Sequence, residues 1–218
     1  HEGAPGPAVS PAGHHVASEA ATVVPGRHQD RRSRTTLIVA GAARTGRSTL
    51  LRSIALSAAS LHGPSALHVY GLDFGTAGLG MLESLPNVGA IIDGADRERV
   101  TRLLAELVAI MDERVGRYSA ARAGSITDYR ATSGRTDEVR ILLLVDGFAA
   151  FRDEYEASTT LGVSYGRFSR LLVEGRAVGI HVVISAERPG AIPSALASSI
   201  QRRLVLRQAD EVAYASLN

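Results

Sequence analysis

The sequence predicts an α/β fold: a doubly wound, mostly parallel sheet with helices on both faces. Short aliphatic runs alternate with stretches whose apolar residues recur at three- and four-residue spacing, as strands alternate with helices. Residues 141–145 form an unbroken aliphatic run, as expected of a strand that is covered on both faces, and residues 180–185 are predicted to be another buried strand. The chain has 218 residues, 45% of them hydrophobic, which is enough for one substantial core.

Residues 1–33 are predicted to be a disordered linker, and residues 34–218 the folded domain. The first segment is rich in Ala, Gly, Pro, Ser and His and lacks hydrophobic periodicity. Four of the seven histidines lie in it: His1, His14, His15 and His28. Their irregular spacing favours a solvated tail over a metal site.

The folded part is expected to begin with a strand–loop–helix unit. The strand covers Leu37–Ala40, and the helix carries Leu50, Leu51, Ile54 and Ala55 on one face. A second strand is predicted at residues 66–72, and an irregular glycine-rich stretch around Gly75, Gly78 and Gly80 follows it.

A long amphipathic helix is predicted over residues 96–118, where Asp96 can cap the first turn. Its apolar positions fit a face that packs on the core. The remaining predicted elements are strands at 141–145, 180–185 and 203–207 and a helix at 165–176.

The turn after the first strand has the pattern of a phosphate-binding loop. It reads Gly41-Ala42-Ala43-Arg44-Thr45-Gly46-Arg47-Ser48-Thr49. Glycines let backbone N–H groups and the following helix N-terminus converge on phosphate oxygens, and Ser48 can offer its hydroxyl to Mg²⁺. The alternative interpretation is a tight turn between strand and helix that binds no ligand. The position between a buried strand and an amphipathic helix favours ATP binding.

Asp146 ends the aliphatic strand 141–145 and is the predicted partner of this loop. Both lie at strand carboxyl ends, where open α/β sheets bind ligands. We therefore predict that Asp146 acts in catalysis and, with Ser48, binds Mg²⁺. The alternative is an aspartate that caps the next turn.

Two departures from the usual sequence pattern of such ATPases argue against fast ATP hydrolysis. Arg47 stands where lysine is normal, and its larger, planar guanidinium cannot occupy the same position unchanged. Gly147 follows Asp146 where many such ATPases place a glutamate that activates the attacking water. Binding without fast hydrolysis is the expectation, which leaves enzymatic activity open.

Five stretches in order resemble the FtsK/SpoIIIE family of bacterial motors, and particularly the degenerate ATPase modules of EccC/EssC-type proteins of type VII secretion. They are residues 39–51, Leu85-Pro86-Asn87-Val88, Met111-Asp112-Glu113-Arg114 with Tyr118, Ile126-Thr127-Asp128-Tyr129, and residues 179–189. The resemblance implies a RecA-like P-loop NTPase fold. It also implies that residues 126–129 belong to a loop that ends near a tyrosine.

The same resemblance has implications for one more site residue and for the substrate that is transported. Glu187 stands where the family has a glutamine that senses the γ-phosphate, so it is a candidate catalytic residue with an altered role. The segment Asp146-Gly147-Phe148 is similar to an Asp-Gly-Trp segment of secretion motors, which favours protein secretion over DNA pumping.

Family members work as rings, such as hexamers, or as tandem arrays, and an arginine can act across the interface. Arg176, Arg202 and Arg203 are the nearest candidates, with solvated charges as the alternative. Three functions stay open: an ATP-binding module of a secretion motor with weak or regulatory hydrolysis, a subunit of a double-stranded DNA translocase, and a partner-docking module that does not hydrolyse nucleotide.

The composition excludes cysteine chemistry but does not determine the cellular compartment. Without cysteine there are no disulfides, thiolate zinc sites or cysteine nucleophiles. The net charge of +2 is spread along the chain, so it does not by itself predict nucleic-acid binding. No apolar run has bilayer length. We expect an internal, cytoplasmic fragment that stops before the family's last elements and is held at the inner face of the membrane through a fused anchor.

Overall fold

A computed structural model describes residues 36–187, 191–200 and 202–208. The predicted linker, residues 1–33, lies outside them. The strands are β1 Leu37–Ala40, β2 Leu67–Asp73, β3 Val88–Asp93, β4 Arg140–Asp146, β5 Ile180–Ala186 and β6 Arg202–Val205. The helices are α1 Arg47–Leu61, α2 Arg97–Ala120, α3 Ile126–Ser133, α4 Phe148–Tyr155, α5 Gly162–Glu174 and α6 Ser194–Ala197. Short 3₁₀ segments cover Gly80–Ser84 and Gly175–Val178.

The strands form one sheet in the order β3-β2-β4-β5-β1-β6. Every described pair is parallel, so the mostly parallel sheet of the prediction is wholly parallel here. Because all strands run in one direction, the loops after β1, β2, β4 and β5 meet at one edge of the sheet. The predicted phosphate loop and Asp146 therefore lie at the same edge.

Two apolar cores cover the two faces of the sheet. On one face, Leu51 and Ala55 of α1 pack with strand residues such as Val39 and Leu144. On the other face, helices α2 to α5 pack on the alternate strand residues, among them Leu143 and Ile184. Since successive strand side chains point to opposite faces, both sets of residues are buried. The predicted doubly wound fold is confirmed.

Helix α2 begins as the sequence predicts. The Asp96 carboxylate accepts a hydrogen bond from the backbone N–H of Arg99 at 3.1 Å, which satisfies one of the free donors of the first turn. The predicted apolar positions, from Val100 to Met111, face the core. No helix among the described residues combines the length and the apolar character that a membrane span requires.

Residues 126–129 form the start of helix α3, so their placement in a loop is wrong. The Ser125 hydroxyl accepts a hydrogen bond from the Asp128 N–H at 3.1 Å, and it starts this helix. Ile126 and Tyr129 are buried, and Tyr129 stacks on Tyr118 with ring centroids 4.4 Å apart. The capping hydrogen bond and the burial of Ile126 and Tyr129 both favour a helix in this stretch.

Other boundaries shift by a few residues. Strand β6 ends at Val205 rather than residue 207 because its only described partner, β1, has four residues to pair. Helix α5 begins at Gly162, three positions before the prediction. Strand β3 was not predicted, because it lies at the sheet edge, is only partly buried and contains Gly89.

A buried ion pair lies at the amino ends of β4 and β5. Arg114 Nε is 2.9 Å from Glu138 Oε1, while Nη1 and Nη2 donate to the Val178 and Val139 carbonyls at 2.9 and 2.8 Å. Arg117 Nη2 also donates to Glu138, at 3.1 Å. Burial lowers the pKa of Arg114, and the adjacent Glu138 opposes that shift. We call Arg114, Arg117 and Glu138 the Arg114 cluster.

Candidate nucleotide-binding site

The predicted phosphate loop runs from the end of β1 into the first turn of α1. The Gly41 N–H donates to the Ala186 carbonyl at 3.1 Å, and the Ala42 N–H donates to the Arg207 carbonyl at 3.0 Å. These bonds fix the loop to β5 and to the segment after β6. Gly46 has φ 95°, a left-handed conformation that glycine adopts without strain and that turns the chain into the helix.

The start of the loop is closely packed. A Cβ at Gly41 would lie 2.5 Å from Thr45 Oγ1 and 2.8 Å from the Leu206 Cβ, so only glycine fits. The Thr45 hydroxyl donates to the Ala42 carbonyl at 2.8 Å, which closes the turn. A cavity of about 430 Å³ opens beside the loop, and its lining residues are Ala42, Ala43, Arg44, Thr45, Arg207 and Gln208. Sequence reasoning missed the contribution from residues 207 and 208.

Arg47 begins helix α1, and its guanidinium is mostly covered. The side chain is 18% exposed, and its Nη2 lies 3.9 Å from Glu187 Oε1. Its Nη1 is buried without a hydrogen-bond partner in the described part of the chain. A buried cationic N–H without an acceptor is costly, so this geometry suits an anionic oxygen from a ligand.

Asp146 is 3% exposed at the end of β4. Its Oδ1 accepts a short hydrogen bond from the Ser185 hydroxyl, whose oxygen in turn accepts from the Gly147 N–H at 2.9 Å. Its Oδ2 is buried and has no donor among the described residues. Ser185 therefore orients the carboxylate and leaves one oxygen available to a metal ion.

The Ser48 hydroxyl and the Asp146 Oδ2 face the same small space. A Cβ at Gly78 would lie 3.3 Å from Ser48 Oγ and 3.5 Å from Asp146 Oδ2, and a Cβ at Gly75 would lie 3.3 Å from the latter. We call residues 74–79 the glycine loop, since its glycines keep this space open. Carboxylate and hydroxyl oxygens fit Mg²⁺, which also takes phosphate and water oxygens.

The described ranges hold no group of three or more His, Cys, Asp or Glu that could by itself bind a metal ion. The chain offers Mg²⁺ one carboxylate and one hydroxyl here. That set suits an ion that arrives with a nucleotide, because phosphates then complete the coordination.

Asp73 and Arg52 hold the glycine loop in place. Asp73 accepts from the Gly75 N–H at 3.0 Å and from the Leu79 N–H at 2.8 Å. Arg52 donates to the Gly78 carbonyl at 3.0 Å and to the Thr49 hydroxyl at 3.0 Å, which ties the loop to α1. Neither residue was predicted. Asp73 ends an apolar strand as Asp146 does, so the same signal could have found it.

Gly147 has no room for a side chain. Its φ is 80°, and a Cβ there would lie 2.9 Å from the Phe74 carbonyl carbon and oxygen. The glycine loop thus occupies the space next to the position where a catalytic glutamate would stand. Glu187, directly after β5, is 68% exposed and reaches toward Arg47 rather than toward Asp146 in any described contact.

The three arginines considered as trans-acting groups lie away from this site. Arg202 and Arg203 pair with Leu37 and Ile38 at the amino end of β1, opposite to the phosphate loop. Arg176 lies in the turn before β5, at the same end of the sheet. Within one chain they do not contribute to the site.

The sequence matches the model of the FtsK/SpoIIIE family over residues 15–215. The chain belongs to the FtsK/SpoIIIE family. A curated relative, the ESX-1 secretion system protein EccCb1 of Mycobacterium tuberculosis, is 32% identical over 181 residues. That alignment covers 79% of this chain and 29% of EccCb1, so the chain spans less than a third of that relative.

Two solved structures share the fold of this FtsK/SpoIIIE domain. EssC (ATPases 2 and 3) from Geobacillus thermodenitrificans superposes with a TM-score of 0.78 at 22% identity, over 85% of this chain and 34% of that one. Thermomonospora curvata EccC (ATPases 2 and 3), in complex with a signal sequence peptide, gives 0.72 at 31% identity, over 80% and 31%. The predicted P-loop NTPase fold and the resemblance to EccC and EssC ATPases are confirmed.

Proposed function

We infer that this domain binds Mg-ATP and that the bound nucleotide stabilises or regulates a larger FtsK/SpoIIIE-type secretion ATPase. One observation carries the proposal: two buried polar atoms, Arg47 Nη1 and Asp146 Oδ2, have no hydrogen-bond partner among the described residues, and both belong to segments at the carboxyl edge of the sheet. One calls for an anionic oxygen and the other for a cation. A magnesium-bound polyphosphate offers both together.

Each proposed site residue has its own role. Residues 41–46 wrap their backbone around the phosphates, and Arg47 neutralises phosphate oxygens from the start of α1. Ser48 and Asp146 bind Mg²⁺, and Thr49 is oriented by its hydrogen bond from Arg52. Because Asp146 is buried, its carboxylate would hold the ion away from bulk water.

Hydrolysis is proposed to be slow or absent. No carboxylate follows Asp146, and Gly147 leaves no space for one unless the glycine loop moves. General-base catalysis requires a base within hydrogen-bond reach of the attacking water. Glu187, the other candidate catalytic residue, lies beside the Arg47 guanidinium, where it is held by opposite charge.

The protein-secretion link rests on the relatives. EccCb1 is a secretion system protein, and Thermomonospora curvata EccC was solved with a signal sequence peptide. We extend this to the parent protein of the present chain, as a cytoplasmic module that works beside other ATPase modules or in a ring. Secreted proteins are then its substrates rather than double-stranded DNA, and any membrane attachment uses segments outside this chain.

Calorimetric titration with ATP tests the proposal, with wild type and Asp146→Asn compared in Mg²⁺ and in EDTA. We expect micromolar binding to wild type in Mg²⁺ and affinity about 100-fold weaker in the variant, because the amide cannot replace the carboxylate at the ion. In EDTA the difference between the two proteins should shrink to about twofold.

The matched control is Asp153→Asn, an exposed aspartate on α4, the helix that follows Asp146. It should leave the affinity unchanged. Wild type that binds no nucleotide would instead indicate a partner-docking module with an unused pocket. Equal affinity in wild type and Asp146→Asn would place the nucleotide elsewhere.

A further inference from the structure

Glu187 is a largely exposed negative charge beside Arg47 at the candidate site. It follows β5 directly, and β5 pairs with β1 up to Ala186 opposite Ala40, which places residue 187 beside the start of the phosphate loop. Its carboxylate is 3.9 Å from Arg47 Nη2. With 68% of its side chain exposed, Glu187 has no described contact other than this guanidinium.

This pair matters because the cation at the position of Arg47 in a phosphate loop reaches the β- and γ-phosphates. A carboxylate within ion-pair reach of that cation competes with the phosphate oxygens for it. It also repels any further negative charge that is brought close to it, and this repulsion is stronger at a partly covered site than in water.

This repulsion would act mainly on the γ-phosphate of a nucleoside triphosphate. The loop N–H groups would cradle the α- and β-phosphates, and a γ-phosphate would then extend beyond the loop toward the carboxyl ends of β4 and β5. Two carboxylates stand there, Asp146 and Glu187. A metal ion bound at Asp146 Oδ2 would offset the charge of Asp146, whereas the described residues offer Glu187 only the shared Arg47.

We propose that Glu187 makes this a site that prefers nucleoside diphosphates to triphosphates. The inference rests on the proposed nucleotide function of the same loop. A diphosphate brings only its β-phosphate to Arg47, so the guanidinium is shared between one phosphate group and Glu187. A triphosphate must either separate that pair or hold its terminal phosphate next to the carboxylate. The domain therefore retains ADP as its stable ligand.

Titration of wild type and Glu187→Gln with Mg-ADP and with a non-hydrolysable Mg-ATP analogue tests this preference. In wild type, we expect ADP to bind about tenfold more tightly than the analogue. Glu187→Gln removes the charge and keeps the shape. It should strengthen analogue binding about tenfold while ADP affinity changes by less than about twofold.

Glu106→Gln is the matched control, since it removes the same charge from an exposed position on α2. It should leave both affinities unchanged. Equal gains for both nucleotides in Glu187→Gln, or a wild type that prefers the triphosphate, would overturn the inference but leave nucleotide binding intact. Absence of binding for both nucleotides in wild type and in Glu187→Gln would overturn the proposed function as well.

Discussion

Two buried polar groups at opposite ends of the same sheet differ in how their atoms are paired. At the amino ends of β4 and β5, Arg114 Nη1 and Nη2 each donate to a carbonyl, and Nε, which makes no hydrogen bond among the described residues, lies 2.9 Å from the buried carboxylate of Glu138. At the carboxyl end of β4 and in the loop after β1, Asp146 Oδ2 and Arg47 Nη1 have no partner among the described residues. Both ends carry buried charge, but only at the amino end does a buried side chain of opposite charge lie within 3 Å of it.

The difference separates a structural role from a binding role. Buried charges without partners destabilise a fold, so proteins keep them where a ligand supplies the missing interactions. The Arg114 cluster joins α2 to the segments before β4 and β5, and the charges of Arg114 and Arg117 are offset by Glu138. Substitutions at the two ends should therefore affect different measurements.

The largest expected effect is on stability, from Arg114→Ala. It leaves Glu138 buried without its closest partner and removes the donors of the Val178 and Val139 carbonyls, which should lower the free energy of unfolding by about 3–5 kcal/mol. Urea denaturation measures this change. Arg102→Ala is the control, since its 3.6 Å ion pair with Glu98 is exposed and should contribute less than about 1 kcal/mol. Equal losses of unfolding free energy in the two variants would show that the Arg114 cluster stabilises the fold no more than an exposed ion pair does.

A smaller effect is expected from Gly78→Ala, this time on binding. The new methyl would lie 3.0 Å from the Ser48 Cβ and within 3.5 Å of Asp146 Oδ2, in the space assigned to the metal ion. Affinity for Mg-nucleotide should fall about tenfold, with unfolding free energy changed by less than about 1 kcal/mol. Calorimetry and denaturation measure the two quantities.

Gly80→Ala provides the matched control, because a Cβ at Gly80 would meet nothing within 4 Å. It should bind nucleotide as wild type does. If Gly78→Ala also binds like wild type, the space between Ser48 and Asp146 is not the metal site.

The smallest expected effect is a pH dependence of stability at the amino end. Burial, and then the charges of Arg140 and Arg176, lower the pKa of His181 from 6.5 to about 4. The folded state thus binds a proton less readily than the unfolded state. Stability is complete above pH 6.5 and is lost as the pH falls toward 4.

Between pH 7 and pH 5 we expect this histidine to account for a loss of about 1 kcal/mol, since its side chain keeps some solvent contact. The difference in unfolding free energy between these two pH values should shrink by that amount in His181→Gln. Nucleotide affinity should not follow this titration, because His181 lies at the other end of the sheet. An unchanged pH dependence in the variant would show that other groups cause it.

The sequence by itself determined the elements whose burial follows from the pattern of residues that are close together in the chain. Aliphatic runs such as residues 141–145 predict strands covered on both faces, and Asp96 predicts the start of α2, because periodicity and capping depend on neighbours in the chain. The exposed edge strand β3 lacks such a signal. Helix α3, whose burial depends on Tyr118 and Gly179, was likewise missed.

The same limit applies at the site. Local motifs located the phosphate loop and Asp146, and their functional roles remain predictions. Only the tertiary structure brought Ser185 to Asp146 across 39 positions of the chain, and Arg52 to Gly78 across 26. The order of strands decides such contacts, because β5 lies between β4 and β1. The free energy of packing the whole sheet selects that order, and no single stretch of sequence encodes it.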